Sequence, residues 1–219
     1  MNLAIYSLFR DNTPQYIEAY LNRILLNTLP DVNFRLYLVE GDSLMDTFGF
    51  LVFMKQRFYQ LDICLIKHDT GNIRQGSVIT DIRMDTLSRT ANAALDAIAN
   101  DEWADKILLI ESDLLFRSTM IEDLINTDKD VVAPTVWAGG AFYDIWGFRY
   151  LDGTLTTPAF NPTELTELSS VGSVALYPAK PIYDGLRFDK ECMVGLCKNL
   201  KKRGYSIWTN PNVKVNHPL

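Results

Sequence analysis

Apolar positions along this chain fall into short continuous runs separated by stretches of helical period. Residues 3–9 form the first run, with the texture of a buried strand. Thr13-Pro14 then predicts a helix start, with Thr13 as the N-cap and Pro14 at the first helical position, where its missing N–H is harmless. Tyr16, Ile17, Tyr20, Leu21, Ile24 and Leu25 recur at helical spacing until Leu29-Pro30-Asp31 stops the pattern. Residues 34–39 read as a second strand, 46–60 as a second helix and 63–67 as a third strand. Residues 68–80, with Gly71, Asn72, Gly76 and Ser77, read as an irregular loop. A long helix follows at 81–100, with Met84, Leu87, Ala91, Leu95, Ile98 and Ala99 on one side. Residues 106–110 are the fourth strand, 118–125 a short helix and 131–133 a fifth strand.

Strands and helices alternating in this order predict an α/β fold with a mostly parallel central sheet flanked by helices. The second half is less regular. Residues 138–170 carry Gly, Pro, Trp, Tyr and Thr without helical period, and 171–177 read as a strand. Residues 191–203 read as a helix stopped by Gly204, and 206–208 and 213–216 as short closing strands. No repeat, linker or low-complexity stretch interrupts the 219 residues, so a single domain is expected.

Composition narrows the partners. With 47% hydrophobic and 22% charged residues the chain can build its core without staples. Lys plus Arg is 21 against 27 Asp plus Glu, a net charge of −6. That argues against nucleic acid or an anionic membrane as a non-specific partner, while leaving room for a local basic pocket. Cys64, Cys192 and Cys197 form no CxxC pair, the pattern of structural thiols in a reducing compartment, so a cytoplasmic location is expected. The apolar start has no basic leader and is broken by Arg10-Asp11, and the run at 48–54 is far short of the ~20 residues of a membrane span.

Ligands of open α/β sheets collect at the carboxyl ends of the strands. The first strand exits through Ser7-Leu8-Phe9-Arg10-Asp11 without a glycine, and GxGxxG, GxxxxGK[ST], GxSxG and HExxH are all absent. Dinucleotide dehydrogenases and P-loop enzymes are thereby disfavoured. Lys106-Ile-Leu-Leu-Ile-Glu111-Ser112-Asp113 is the informative element. An apolar strand delivers two carboxylates to its exit, two residues apart and so on one side. Hard oxygen ligands there suit Mg²⁺ or Mn²⁺, which keep positions for water and substrate phosphate. The alternative is a polar exit that caps the next turn.

In this context Glu111-Ser112-Asp113 resembles the DxD motif that follows the fourth strand of GT-A fold glycosyltransferases, with Glu in the first place. Arg89-Thr-Ala-Asn92-Ala-Ala-Leu95 resembles the helix before that motif. Asp128-Lys-Asp-Val-Val-Ala-Pro134-Thr-Val-Trp137, Tyr143-Asp144 and Val171-Gly172-Ser173-Val-Ala-Leu-Tyr177 are similar to segments of fungal Golgi α-mannosyltransferases. So are Gly195-Leu-Cys-Lys198, Lys202-Arg203-Gly204-Tyr205 and Val213-Lys-Val215-Asn-His217. A compact viral form, the first domain of the chlorovirus capsid glycosyltransferase, is similar overall, which for a viral chain implies host cytoplasm. Val194 stands where the mannosyltransferases carry an acid, so no role of that acid transfers.

The resemblance implies a nucleotide-binding half over about residues 1–113 and an acceptor-side half over about 114–219. It implies a metal-dependent transferase that moves a sugar from a UDP- or GDP-sugar donor to a glycan or glycoprotein hydroxyl, with retention of configuration. Asp113, Glu111 and His217 are then the candidate ligands of Mn²⁺ or Mg²⁺. Ser7, Arg10, Glu40 and Asp42, at the exits of strands one and two, are candidates for base and ribose, and Ser112 joins them inside the motif. Arg83 and Arg89 are candidates for the diphosphate, because guanidinium matches phosphate oxygens bidentately. Six residues apart on a helix, the two do not share one line. Asp144 and Glu191 are the candidate catalytic acids, positioning the sugar or accepting a proton. The aromatic, glycine-rich stretch at 137–146 suits a sugar platform. Two other functions compete: a nucleotidyltransferase, which wants a glycine-rich basic loop after strand one, and a catalytically silent sugar-binding module.

Overall fold

The computed structural model describes residues 1–71, 75–76 and 79–218; Asn72 and Ser77 of the predicted loop lie outside them. The first half runs β1 (Asn2–Phe9), α1 (Pro14–Leu26), β2 (Asn33–Glu40), α2 (Thr47–Arg57), β3 (Asp62–Lys67), α3 (Asp81–Asp101) and β4 (Lys106–Ile110). The second half runs β5 (Leu115–Phe116), α4 (Met120–Asn126), β6 (Val131–Ala138), β7 (Ala141–Phe142), β8 (Thr166–Glu167), β9 (Val174–Pro178), α5 (Lys180–Tyr183), α6 (Cys192–Lys202) and β10 (Ile207–Asn216).

Among the described residues the strands form one sheet in the order β3-β2-β1-β4-β9-β6-β10-β5, with β7 on β6 and β8 on β10. β3, β2, β1 and β4 are parallel neighbours, as are β6 and β10. The expectation of a mostly parallel sheet is amended: β9 enters antiparallel between β4 and β6, and the two-residue β5, β7 and β8 also pair antiparallel, with β10, β6 and β10. The chain reaches β9 from the irregular second half rather than through a crossover helix, so nothing forces it parallel.

Strand alternation splits the core into two layers. Leu3, Ile5 and Phe9 face α1, α2 and α4, while Ala4 and Tyr6 face α3 and α6. Both faces of β1 are therefore buried, which is why its sequence is a continuous apolar run. The N-terminus of α1 departs from expectation, because Thr13 makes no side-chain cap bond there. Thr80 and Asp46 do cap α3 and α2, accepting from Arg83 N and Gly49 N.

Candidate metal and nucleotide site

The exits of β1, β2 and β3 are tied together by aspartates. Asp11 Oδ1 accepts from Leu44 N and Met45 N at 2.6 and 3.3 Å. Asp42 accepts from Thr70 N and Gly71 N at 3.1 and 2.8 Å, and from the Thr70 hydroxyl. Burial works against the Asp42 charge, but these bonds and nearby Arg10 outweigh it and hold the carboxyl below its ordinary range. Glu40 is buried; its Oε1 accepts from Ser43 N at 3.2 Å and its Oε2 lies 3.8 Å from Lys67 Nζ. Arg10, Glu40 and Asp42 are thus gathered at one end of the sheet, as expected of them.

Ser7 is not with them. Its hydroxyl is fully buried and bonded to the Tyr20 hydroxyl of α1. Ser7 has the parity of Leu3, Ile5 and Phe9, and that alternation is the signal that turns it into the core.

β4 ends at Ile110, so Glu111, Ser112 and Asp113 form the turn beyond it. The Ser112 hydroxyl donates to Leu8 O at 2.8 Å, tying this turn to the exit of β1. Asp113 Oδ2 lies 3.2 Å from Nε2 of His217, which follows β10. Asp113 Oδ1 is buried with no hydrogen-bond partner. His217 N donates to Trp137 O at 2.7 Å, its Nδ1 lies 2.6 Å from Pro218 O, and its ring stacks on Tyr143 with centroids 4.0 Å apart.

Glu111 is open to water on one side of the cleft. Dense protein on its other sides, then the charges of Asp113 and Asp144, push its carboxyl up to about 8. Ser173 and Arg83 oppose that rise. Arg83 therefore faces the acids, whereas Arg89 lies 3.5 Å from Asp85 on the exposed face of α3. One arginine of the expected pair is at the site and the other is turned away, as their helical spacing requires.

Asp144 is buried beside Glu111, and its carboxylate is already engaged. It accepts from Ser173 N at 2.7 Å and Gly147 N at 3.2 Å. Burial raises its pKa against those bonds. A side chain on Gly172 would strike this carboxylate, and a Cβ on Gly147 would stand 2.5 Å from Gly172 Cα. Asp144 is thus a clamp between two loops rather than a free base. Glu191 is exposed at the start of α6 and held by Lys198 at 2.5 Å, which keeps its pKa low. It is not part of the cluster. Tyr143, read from the sequence only as part of the 137–146 sugar platform, joins the cluster through its stack on His217.

The donor set fits a hard divalent cation through Asp113 and His217, and the orphaned Asp113 Oδ1 is an anionic oxygen awaiting a partner. Among the described residues no three His, Cys, Asp or Glu side chains converge at ligand distance. Glu111 therefore stands outside a closed ligand set, and two protein ligands with water and phosphate oxygens are the arrangement left. Two surface hollows, of about 510 and 630 Å³, lie at opposite edges of the sheet and include none of these residues. Among the described residues no helix is long and apolar enough to cross a membrane.

No protein-family model matches the chain, and no curated protein does. Its structure is similar to GalNAc-T7, crystallised with UDP, GalNAc and Mn²⁺, at a TM-score of 0.68 and 9% identity over 100% of this chain and 44% of that one. It is similar to Staphylococcus aureus TarS 1–349 in complex with UDP at 0.61 and 13%, over 100% and 61%. It is also similar to the Pyrobaculum calidifontis mannosyltransferase PcManGT with GDP-Man and Mn²⁺ at 0.61 and 13%, over 98% and 56%. The chain spans about half the length of these proteins. The fold is that of the GT-A glycosyltransferases.

Proposed function

We propose that this chain is a metal-dependent glycosyltransferase that uses a nucleoside-diphosphate sugar. One observation carries the reading. Asp113, just past β4 of a GT-A sheet, has one oxygen against His217 Nε2 and the other buried without a partner. The solved structures of similar fold that hold UDP or GDP-Man with Mn²⁺ support it.

In this reading Asp113 and His217 hold Mn²⁺ or Mg²⁺, with Glu111 beyond them and acting through water. The bound cation supplies Lewis-acid neutralisation of the departing diphosphate. Arg83 adds a second positive charge on the same face, and Arg10, Glu40, Asp42 and Ser112 shape the base and ribose side. Tyr143 keeps the His217 ring flat so that Nε2 points at Asp113. Asp144 holds the loop that carries Tyr143.

The finer statements rest on the sequence resemblance to fungal Golgi α-mannosyltransferases and the chlorovirus domain. From it we propose transfer to a glycan or glycoprotein hydroxyl, a capsid glycoprotein if the source is viral, with retention of configuration and in a cytoplasmic setting. The anomeric configuration of the first-formed product, read by NMR, checks the retention.

The direct test is Asp113→Asn, which keeps shape and removes charge. Donor hydrolysis or transfer with Mn²⁺ should fall about 10²-fold or more, since transition-state stabilisation of several kcal/mol is at stake. The metal-free melting temperature should hold or rise as like-charge repulsion with Glu111 is relieved. A destabilised variant with normal turnover would falsify the assignment.

A further inference from the structure

We propose that the hollow between α1, β5 and β10 binds an anionic group carried by the acceptor, a phosphate, sulfate or carboxylate on a saccharide. That the ligand is the acceptor rests on the glycosyltransferase reading; that the hollow takes an anion does not.

The hollow has a volume of about 510 Å³ and is lined by Arg23, Arg117, Lys214, Asn212 and Asn216, with Leu115 on its wall. No acidic side chain lines it. In a chain of net charge −6, three cations around one concavity, only one of them paired with a carboxylate, leave a local excess of positive charge. The size lies within the roughly 300–1,000 Å³ of small-ligand pockets.

The three cations differ in how they are held. The Arg117 guanidinium is fixed by Asp123 at 2.8 Å and by Asn212 O at 3.1 Å. Among the described residues the Arg23 and Lys214 side chains make no ion pair with a carboxylate. Arg23 is half-buried, so its guanidinium has lost part of its water. The Lys214 ammonium sits over the Trp137 ring, 5.5 Å from its centroid. An anion with several oxygens gives the two cations without a carboxylate partner a counter-charge and accepts their N–H donors. Asn212 and Asn216 add neutral donors suited to hydroxyls or to further oxygens.

Position selects the acceptor over the donor. Asn216 directly precedes His217, and Leu115, its partner across the β5/β10 pair, is two residues beyond Asp113. The hollow thus adjoins the metal cluster on the side opposite the β1–β3 exits, where the nucleotide candidates gather. A saccharide anchored here by its charge would present a neighbouring hydroxyl toward the cluster.

The experiment titrates the metal-free chain at low salt with a sulfated disaccharide, glucose 6-phosphate and glucuronic acid, with maltose as the neutral control. Amide NMR follows binding. At least one charged sugar should shift the Arg117, Lys214 and Asn216 amides at millimolar concentration while maltose does not, and the three arms identify which anion is preferred. In Arg23→Gln/Lys214→Gln, affinity for that sugar should fall about tenfold, and added salt should weaken it in the parent chain. Donor hydrolysis with Mn²⁺ and no acceptor should be the same in both proteins. No shift with any charged sugar, or an affinity the double variant leaves unchanged, overturns the proposal. Equal loss of binding to anionic lipid vesicles, with no loss for the sugars, overturns it in favour of a membrane surface. Absence of donor hydrolysis in the parent chain strikes the glycosyltransferase reading instead, and the titration still decides the hollow.

Discussion

Glu111 is a carboxyl that resists its own charge. Its ordinary value is 4.5, and in the fold it is pushed up to about 8 by the crowded cleft and by Asp113 and Asp144. A group raised on folding contributes stability that is complete below its unfolded value and is lost as pH climbs through the folded one. The metal-free protein should therefore lose melting temperature between about pH 5 and 8, and Glu111→Gln should flatten that slope. Scans in EDTA across this range check it; parallel slopes in the two proteins would sink the assignment. The motif was legible because two acids ended an apolar strand. Ser7 was misread, although the parity of Leu3, Ile5 and Phe9 was in the sequence, because a polar residue near a strand exit looks like a ligand. Asp144 was legible as a position but not in its role, since one of the two backbone N–H groups that engage it, that of Ser173, comes from a loop 29 residues away.

At the scale of elements, the Asp144 clamp joins the turn before Gly147 to the segment entering β9. Gly147→Ala would put a Cβ 2.5 Å from backbone at Gly172, where no rotamer change can relieve it. The expected cost is about 1–3 kcal/mol, from urea unfolding, with a loss of turnover as the Tyr143 loop shifts. Helices α1, α3 and α6 were readable from their period, and β1 to β4 from their apolar runs. β5, β7 and β8 were not, because two-residue strands carry no alternation to detect. β6 was read as three residues and runs for eight, through Pro134. β10 was read as two strands; it is one, with a shift of register between Asn210 and Lys214. Pro in a strand interior and a bulge both break the local pattern while the tertiary sheet absorbs them.

For the whole molecule, the two layers of core meet across one sheet, and the candidate ligands lie on loops at its carboxyl edge. A nucleotide with metal that binds only the folded chain should raise its melting temperature, by roughly 2.7 kcal/mol of stabilisation at one hundred times Kd. UDP and GDP at millimolar concentration with Mn²⁺ check this by thermal shift. No response to either would count against the nucleotide reading, and a response that persists in EDTA would count against the metal.

Asp113 and His217 lie just past β4 and β10, strands that β9 and β6 separate in the sheet, and stand about a hundred residues apart along the chain. A cation shared by them is then also a fastener, closing a long loop whose opening is otherwise favoured by chain entropy. The end of β10 is where such a clasp acts. Mn²⁺ alone, with no nucleotide present, should slow hydrogen exchange at Val215 and Asn216 far more than at the central β1, and His217→Ala should abolish the difference.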